Sequence, residues 1–223
     1  MQNTKINDVP FSWELFEKMP IVGIVRGISL EDFKQILPVY LKSGLTTIEV
    51  TMNTPDVESL ISYAVKEYSG VLNVGAGTVC SLSDLDKALD FGSQFIVTPL
   101  INEEVIKSCV SMNIPIFPGA LTPSEIYKAS ILGAAVVKVY PAGNLGASYI
   151  KDVKAPLDKV RMMPTGGITL DNMQNFLNVG VDGFGIGSPL FDKKLVDQKD
   201  WKGLEIHFGN FINLIQKHKN TKC

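Results

Sequence analysis

Two ionisable residues of opposite charge, Lys138 and Glu49, lie in short apolar runs, where an unpaired charge is costly. A lysine in apolar surroundings has a pKa below its usual value of about 10.4, and its neutral amine can attack a carbonyl to form a Schiff base. A carboxyl group beside that amine can transfer protons. The alternatives are a buried structural ion pair, or a lysine whose amine reaches solvent beyond the strand end.

The runs around these two residues, 47–51 and 136–140, read as buried strands because they are short and rich in β-branched residues. Side chains alternate along a strand, so Glu49 shares a face with Thr47 and Thr51, and Lys138 shares a face with Tyr140. We therefore expect an acid and a lysine from different strands to converge on one interior.

Two glycine clusters favour a phosphate site. The first contains Gly166 and Gly167, and the second contains Gly187 and Ser188. Each follows an apolar run, and glycine lets backbone N–H groups approach an anion closely. The spacing of the second cluster does not match a dinucleotide-binding motif.

Other apolar runs also end in residues that could bind a substrate. Arg26 follows the run 21–25, Thr78 follows 72–75 and its glycines, and Pro99 follows 95–98. Near a phosphate site, the guanidinium of Arg26 predicts an anionic partner.

The elements that must position these residues alternate regularly. Apolar runs recur at 21–25, 47–51, 72–75, 95–98, 114–117, 136–140, 160–163 and 183–186, and amphipathic segments lie between them. Eight strand–helix units predict an α/β fold of the (β/α)8 (TIM) barrel type, whose active sites lie at the carboxyl ends of the strands. An open doubly wound sheet is the alternative. We expect an N-terminal helix over 9–19 across the barrel base, a last helix over 201–219, and a single domain spanning 1–223.

Composition excludes several classes of protein. The 223 residues are 45% hydrophobic with a formal net charge of -2, and no basic stripe predicts nucleic-acid binding. No apolar stretch is long enough for a membrane span, and residues 1–8 lack the apolar core of a signal peptide. Three widely spaced cysteines, Cys80, Cys109 and Cys223, are typical of a reduced, cytoplasmic protein. The histidines form no cluster, so we expect no metal site.

Taken together, the motifs resemble those of the 2-keto-3-deoxy-6-phosphogluconate (KDPG) and 4-hydroxy-2-oxoglutarate (KHG) aldolases, which are class I aldolases. The resemblance runs from about residue 21 to 191. It is carried by Ile-Val-Arg26-Gly, Ile-Glu49-Val-Thr-Met, Gly-Ala-Gly-Thr78-Val, Val-Thr-Pro99, Phe-Pro-Gly119, Val-Lys138-Val-Tyr140-Pro, Pro-Thr165-Gly166-Gly167-Ile and Gly-Ile-Gly187-Ser188.

This resemblance implies a role for each matching residue. Lys138 would be the Schiff-base lysine and Glu49 the catalytic glutamate. The pyruvate pocket would include Thr78, Pro99 and Thr165. The phosphate would be bound by Gly166, Gly167, Gly187 and Ser188. Tyr140 stands where the family often has phenylalanine. The resemblance also implies a homotrimer and a reaction that needs no cofactor or metal.

The same motifs leave the sugar epimer open. Asn53 replaces an arginine that the phosphogluconate enzymes often carry. It resembles the 2-keto-3-deoxy-6-phosphogalactonate aldolases, as does Arg26 with its following glycine. Thr165 instead resembles the phosphogluconate branch.

We therefore expect cleavage of KDPG to pyruvate and glyceraldehyde 3-phosphate, with KHG giving pyruvate and glyoxylate, and some cleavage of the galactonate epimer. The alternatives are a phosphogalactonate aldolase, an isomerase or synthase acting on a sugar phosphate, and a non-catalytic barrel that binds sugar phosphates.

Overall fold

The computed structural model describes residues 9–221. The predictions on the first eight residues and on Cys223 lie outside that range. The strands are β1 Ile21–Val25, β2 Thr47–Thr51, β3 Asn73–Gly77, β4 Phe95–Val97, β5 Ile116–Phe117, β6 Gly119–Ala120, β7 Val137–Val139, β8 Met162–Pro164 and β9 Phe184–Ile186. The helices are α1 Trp13–Lys18, α2 Leu30–Ser43, α3 Val57–Glu67, α4 Leu82–Asp90, α5 Glu103–Ser111, α6 Pro123–Ile131, α7 Gly146–Lys154, α8 Leu170–Asn178, α9 Lys193–Asp197 and α10 Trp201–Asn220.

The strands form a curled parallel sheet of the predicted α/β barrel type. Their hydrogen bonds form two ladders, β5-β4-β3-β2-β1-β9 and β6-β7-β8. An isolated parallel bridge between Thr165 and Gly185 joins the end of β8 to β9.

The fifth strand is interrupted, a feature that was not predicted from the sequence. That strand is divided into β5 and β6 at Pro118, which has no N–H to donate to a ladder. β5 pairs with β4, and β6 pairs with β7. The barrel is therefore built from two ladders rather than from one continuous ladder.

The helices begin and end as their sequences indicate. The side chains of Ser81 and Thr122 accept a hydrogen bond from the third residue of α4 and α6, and each forms a capping box with the acidic residue there. Five glycines that end helical segments, Gly44, Gly70, Gly92, Gly133 and Gly180, have φ between 75° and 99°. These left-handed conformations reverse the chain toward the next strand. The short helix α9 was not predicted.

An aromatic cluster fills the barrel at the amino ends of the strands. Helix α1 is shorter than the predicted 9–19, and its Phe16 packs against Phe11 and Phe117 with ring centroids 6.1 and 5.8 Å away. The side chain of Asn73 bonds the backbone N–H and carbonyl of Ser12 at 2.7 and 2.8 Å. These contacts fix α1 across the base of the barrel, as expected, and leave the opposite end for a site.

No helix in residues 9–221 is long and apolar enough to cross a membrane.

Candidate active site

A cavity of about 590 Å³ lies at the carboxyl ends of the strands, opposite α1. Ten of the twelve predicted site residues line it: Arg26, Thr78, Pro99, Lys138, Tyr140, Thr165, Gly166, Gly167, Gly187 and Ser188. Glu49 lies beneath the cavity and does not line it. Asn53 is exposed and lies outside the cavity lining, so a role for it in epimer choice stays a prediction.

Lys138 lies on the inner face of β7, in register with Gly119 and Met163 on the adjacent strands. Its neighbours Val137 and Val139 pack into the outer core, which confirms the predicted orientation. Only 7% of Lys138 is exposed. Burial lowers its pKa below the usual value, an effect that the nearby Glu49 carboxyl opposes. Burial therefore acts toward the neutral amine that carbonyl attack requires.

Glu49 projects inward from β2 and is 1% exposed. A Cβ on Gly77 would overlap its Oε1 atom, so glycine there makes room for the carboxyl. Oε2 has no hydrogen-bond partner. Burial raises the pKa of Glu49, an effect that Lys138 and then Arg26 oppose.

The alternative of a buried structural ion pair is not supported by the geometry. Neither Lys138 nor Glu49 is among the residues whose charged side chains form nitrogen–oxygen contacts of 4.0 Å or less in the described part of the chain. Burial shifts the pKa of Lys138 down and that of Glu49 up, in each case toward the neutral form. That combination suits proton transfer around an imine more than ionic cross-linking.

The loop after β8 forms one edge of the cavity. Gly166 and Gly167 have φ of 80° and 73°, conformations that residues with side chains rarely adopt. Gly143 packs against this loop, where an added Cβ would lie 2.7 Å from the Cα of Gly167. The loop is therefore held by close backbone contacts and presents peptide groups to the cavity.

Gly187 forms the opposite edge under different constraints. Its nearest contact for an added Cβ would be the Ile24 side chain at 3.7 Å, an ordinary van der Waals distance. The fold has room for a side chain at this position. An anion that approaches the backbone there would need glycine, because a side chain would block its approach.

Three polar side chains line the same cavity as Lys138 and these loops. Thr165 is 2% exposed, and its hydroxyl donates to the Met163 carbonyl at 3.3 Å. Thr78 has φ of 60°, a strained conformation of the kind that clusters at functional sites. Arg26 lies near enough to Glu49 and Lys138 to influence the pKa of both.

The charged residues at the cavity rim were not predicted from the sequence. Asp32, Lys193 and Asp197 line its outer part. The Asp192 cap of α9, followed by lysine and aspartate four residues apart, is the signal that could have identified the last two. The whole arrangement can form an imine at a substrate carbonyl, move protons beside it and bind an anion at the rim.

The comparisons with known proteins agree with this chemistry. The family described as "KDPG and KHG aldolase" matches residues 14–206. The 2-dehydro-3-deoxy-6-phosphogalactonate aldolase of Escherichia coli K12 is 33% identical over 78% of this chain and 85% of its own length. The 2-dehydro-3-deoxy-phosphogluconate aldolase of Haemophilus influenzae is 32% identical over 91% of this chain and 97% of its own.

Solved structures agree as well. One described as the native KDPGal structure superposes with a TM-score of 0.84 at 29% identity, covering 91% of this chain and 97% of that one. The KDPG aldolase of Zymomonas mobilis ZM4, solved with 3-phosphoglycerate, has a TM-score of 0.78 at 28% identity, covering 89% and 94%. Fold and site thus define a barrel enzyme of the lyase class. The chain belongs to the KDPG and KHG aldolase family.

Proposed function

We propose that this enzyme is a class I aldolase that cleaves KDPG to pyruvate and glyceraldehyde 3-phosphate. The observation that supports it most directly is a pair of buried groups, Lys138 lining the cavity and Glu49 beneath it, that lie near each other without forming a contact ion pair. An isomerase, a synthase or a non-catalytic barrel would leave this pair without a role.

In the proposed mechanism, the neutral amine of Lys138 attacks the C2 ketone, and loss of water gives an iminium ion. Glu49, as the carboxylate, then accepts the proton of the C4 hydroxyl, and the C3–C4 bond breaks. Its electron pair passes to the iminium nitrogen, which leaves an enamine and free glyceraldehyde 3-phosphate. Glu49 returns the proton to C3, and water hydrolyses the resulting imine to pyruvate and free Lys138. No metal or cofactor is required.

The remaining residues bind the two ends of the substrate in this proposal. Arg26, Thr78 and Thr165 hold the carboxylate end and the hydroxyls, and Pro99 and Tyr140 form the wall around the pyruvate moiety. The Tyr140 ring centroid lies 5.2 Å from Lys138 Nζ. Backbone N–H groups at Gly166, Gly167, Gly187 and Ser188 bind the phosphate.

We propose the gluconate epimer as the preferred substrate, with measurable cleavage of the galactonate epimer. Thr165 lines the cavity near Lys138, while Asn53 does not reach it. One hydrogen bond contributes about 0.5–1.5 kcal/mol, so the preference should be modest. Measuring kcat/KM for both epimers tests this, and a preference for the galactonate form would transfer the discrimination to Asn53.

We also propose a second substrate, a cellular setting and an oligomeric state for the enzyme. KHG, which lacks the phosphate, is a second substrate. The enzyme works in the cytoplasm, in Entner–Doudoroff-type carbohydrate metabolism, as a homotrimer. The trimer would cover the exposed apolar side chains of Leu100, Val110, Leu121, Tyr127 and Ile131, on or just before α5 and α6.

Trapping the covalent intermediate tests the central proposal. The protein is incubated with pyruvate and sodium borohydride, and the modified peptide is identified by mass spectrometry. We expect one reduced pyruvate adduct on the peptide containing Lys138, and loss of both labelling and cleavage in Lys138→Ala.

Lys151→Ala serves as a matched control, because that lysine is exposed on α7 and does not line the cavity. It should keep both labelling and activity. An adduct on Lys151 or Lys128, or loss of activity with a chelator, would contradict the proposal.

A further inference from the structure

Lys193 lies at the rim of the cavity and has no role in the reaction proposed above. Five charged residues among those the structure describes line the cavity: Arg26, Asp32, Lys138, Lys193 and Asp197. Lys138 would react with the ketone, and Arg26 acts on the reacting groups through its charge. Lys193 is therefore the one cation among these five that the proposed reaction leaves without a role.

Lys193 follows Gly187, in the loop that would bind phosphate, by six residues along the chain. The backbone N–H groups of Leu190 and Phe191 donate to the carbonyl of Gly187 at 2.8 and 3.1 Å. This turn brings the chain from Gly187 directly to Lys193 at the start of α9. Gly187 and Lys193 both line the cavity, so the loop and this side chain face the same space.

The ammonium group of Lys193 is already paired. Its Nζ lies 2.6 Å from Oδ2 of Asp197, one turn later on α9, and the two side chains are 83% and 57% exposed. Asp32, the other acid at the rim, accepts a hydrogen bond from Ser29 at 2.8 Å and lies 3.9 Å from Lys199. A substrate dianion must therefore compete with Asp197 for Lys193.

We propose that Lys193 binds the substrate phosphate and that Asp197 competes with it, so that this pair sets the preference for phosphorylated over unphosphorylated keto acids. The proposal rests on the function proposed above. Exposed ion pairs are weak because water screens them, whereas a hydrogen bond from an ammonium group to a phosphate is charge-assisted and stronger. Exchange of one partner for the other is therefore favourable.

The test uses binding, which does not depend on catalysis. The affinity of glycerol 3-phosphate is measured by calorimetry for the intact protein and its variants, with glycerol as the uncharged reference. We expect Lys193→Gln to weaken glycerol 3-phosphate binding by about ten-fold, the effect of losing one bond to a charged group. Asp197→Asn should strengthen it by about two- to five-fold, the range of an exposed ion pair.

Lys194→Gln is the matched control. Lys194 is the next residue on α9, is also exposed and carries the same charge, but lies outside the cavity lining. It should change the affinity by less than about two-fold. Equal effects of the two lysine variants would overturn the proposal, because they would indicate only a long-range field. Weaker binding in Asp197→Asn, or no binding to the unmodified protein, would also overturn it.

Catalysis supplies the second readout. Lys193→Gln should raise KM for KDPG and leave KM for KHG unchanged, and an equal rise for both would contradict a role at the phosphate. Failure of the proposed aldolase reaction would appear separately, as absence of cleavage and of a trapped adduct while the binding pattern persists.

Discussion

Burial shifts the pKa values of Lys138 and Glu49, the two ionisable groups proposed to react, in opposite directions. It lowers the pKa of Lys138 and raises that of Glu49, so that both neutral forms are favoured. A neutral amine can attack, and a protonated carboxyl can assist the loss of water before it acts as a base.

Replacement of the carboxyl tests its role as a proton-transfer group. Glu49→Gln retains the size of the side chain and removes the titratable group. We expect kcat for KDPG cleavage to fall by about 10²–10⁴-fold, the usual contribution of positioned proton transfer. Exchange of the pyruvate methyl protons, followed by NMR, should slow in parallel. An active variant with normal exchange would remove Glu49 from the mechanism.

The raised pKa of Glu49 also predicts a pH-dependent effect on stability. The folded protein retains the Glu49 proton at pH values where the unfolded carboxyl, with a pKa of about 4.3, has lost it. The folded state then binds more protons, so this group lowers the free energy of unfolding as pH rises above about 4.

Glu49→Gln should therefore gain stability relative to the unmodified protein between about pH 4 and neutrality, measured by thermal unfolding. A difference that does not vary with pH, or a variant that fails to fold, would favour a structural role for Glu49.

Alternation along a strand is local, so the inward orientation of Lys138 and Glu49 could be predicted from their neighbours alone. Position beyond a strand end depends on the loop that follows. Asn53, two residues after β2, lies outside the cavity lining, and the role that the resemblance implies for it stays a prediction. Lys193 was missed because α9 has only five residues and no apolar periodicity.

The two glycine loops at the cavity differ in how much room the fold leaves for a side chain. Gly187→Val places a side chain where the fold has room and where an anion would approach the backbone. We expect KM for KDPG to rise by about ten-fold, with little change for KHG, as measured by steady-state kinetics. Gly143→Ala should instead destabilise the fold and impair both reactions, because its Cβ meets backbone at 2.7 Å. Equal losses on both substrates in Gly187→Val would remove the phosphate from this loop.

Helix α1 contributes to stability at the end of the barrel away from the cavity. Phe16 is fully buried in the aromatic cluster, and Phe16→Ala should lower the free energy of unfolding by about 3–5 kcal/mol. Urea denaturation measures this. Ile206→Ala, at a side chain that is 62% exposed, should change it by less than about 0.5 kcal/mol. A large change in KM for KDPG in Phe16→Ala would show that the base and the site are coupled.

The order of the elements could be predicted because many helices begin with a capping side chain and five helical segments end in glycine. The division of the fifth strand could not be predicted. The run 114–117 gives no sign that β5 pairs with β4 while β6, beyond Pro118, pairs with β7. Backbone pairing there is decided by strands distant in sequence.

At the scale of the whole molecule, the exposed apolar side chains of α5 and α6 predict assembly. Ile131 is 65% exposed, and Ile131→Glu would place a charge in the proposed trimer interface. Light scattering should show three chains of 24.4 kDa for the unmodified protein and smaller species for this variant. Ile206→Glu, at a similarly exposed isoleucine on α10, should remain trimeric. A monomeric unmodified protein would contradict the assignment.

The aromatic cluster that closes the barrel base leaves the cavity with its mouth at the opposite end. Lys138, at the closed end, would hold the pyruvate moiety, while the exposed Gly167 and Ser188 would hold the phosphate at the mouth. Glyceraldehyde 3-phosphate must then depart before pyruvate can, and the two products cannot exchange in random sequence. In the proposed reaction, pyruvate would thus compete with KDPG for the free enzyme, whereas glyceraldehyde 3-phosphate would inhibit noncompetitively.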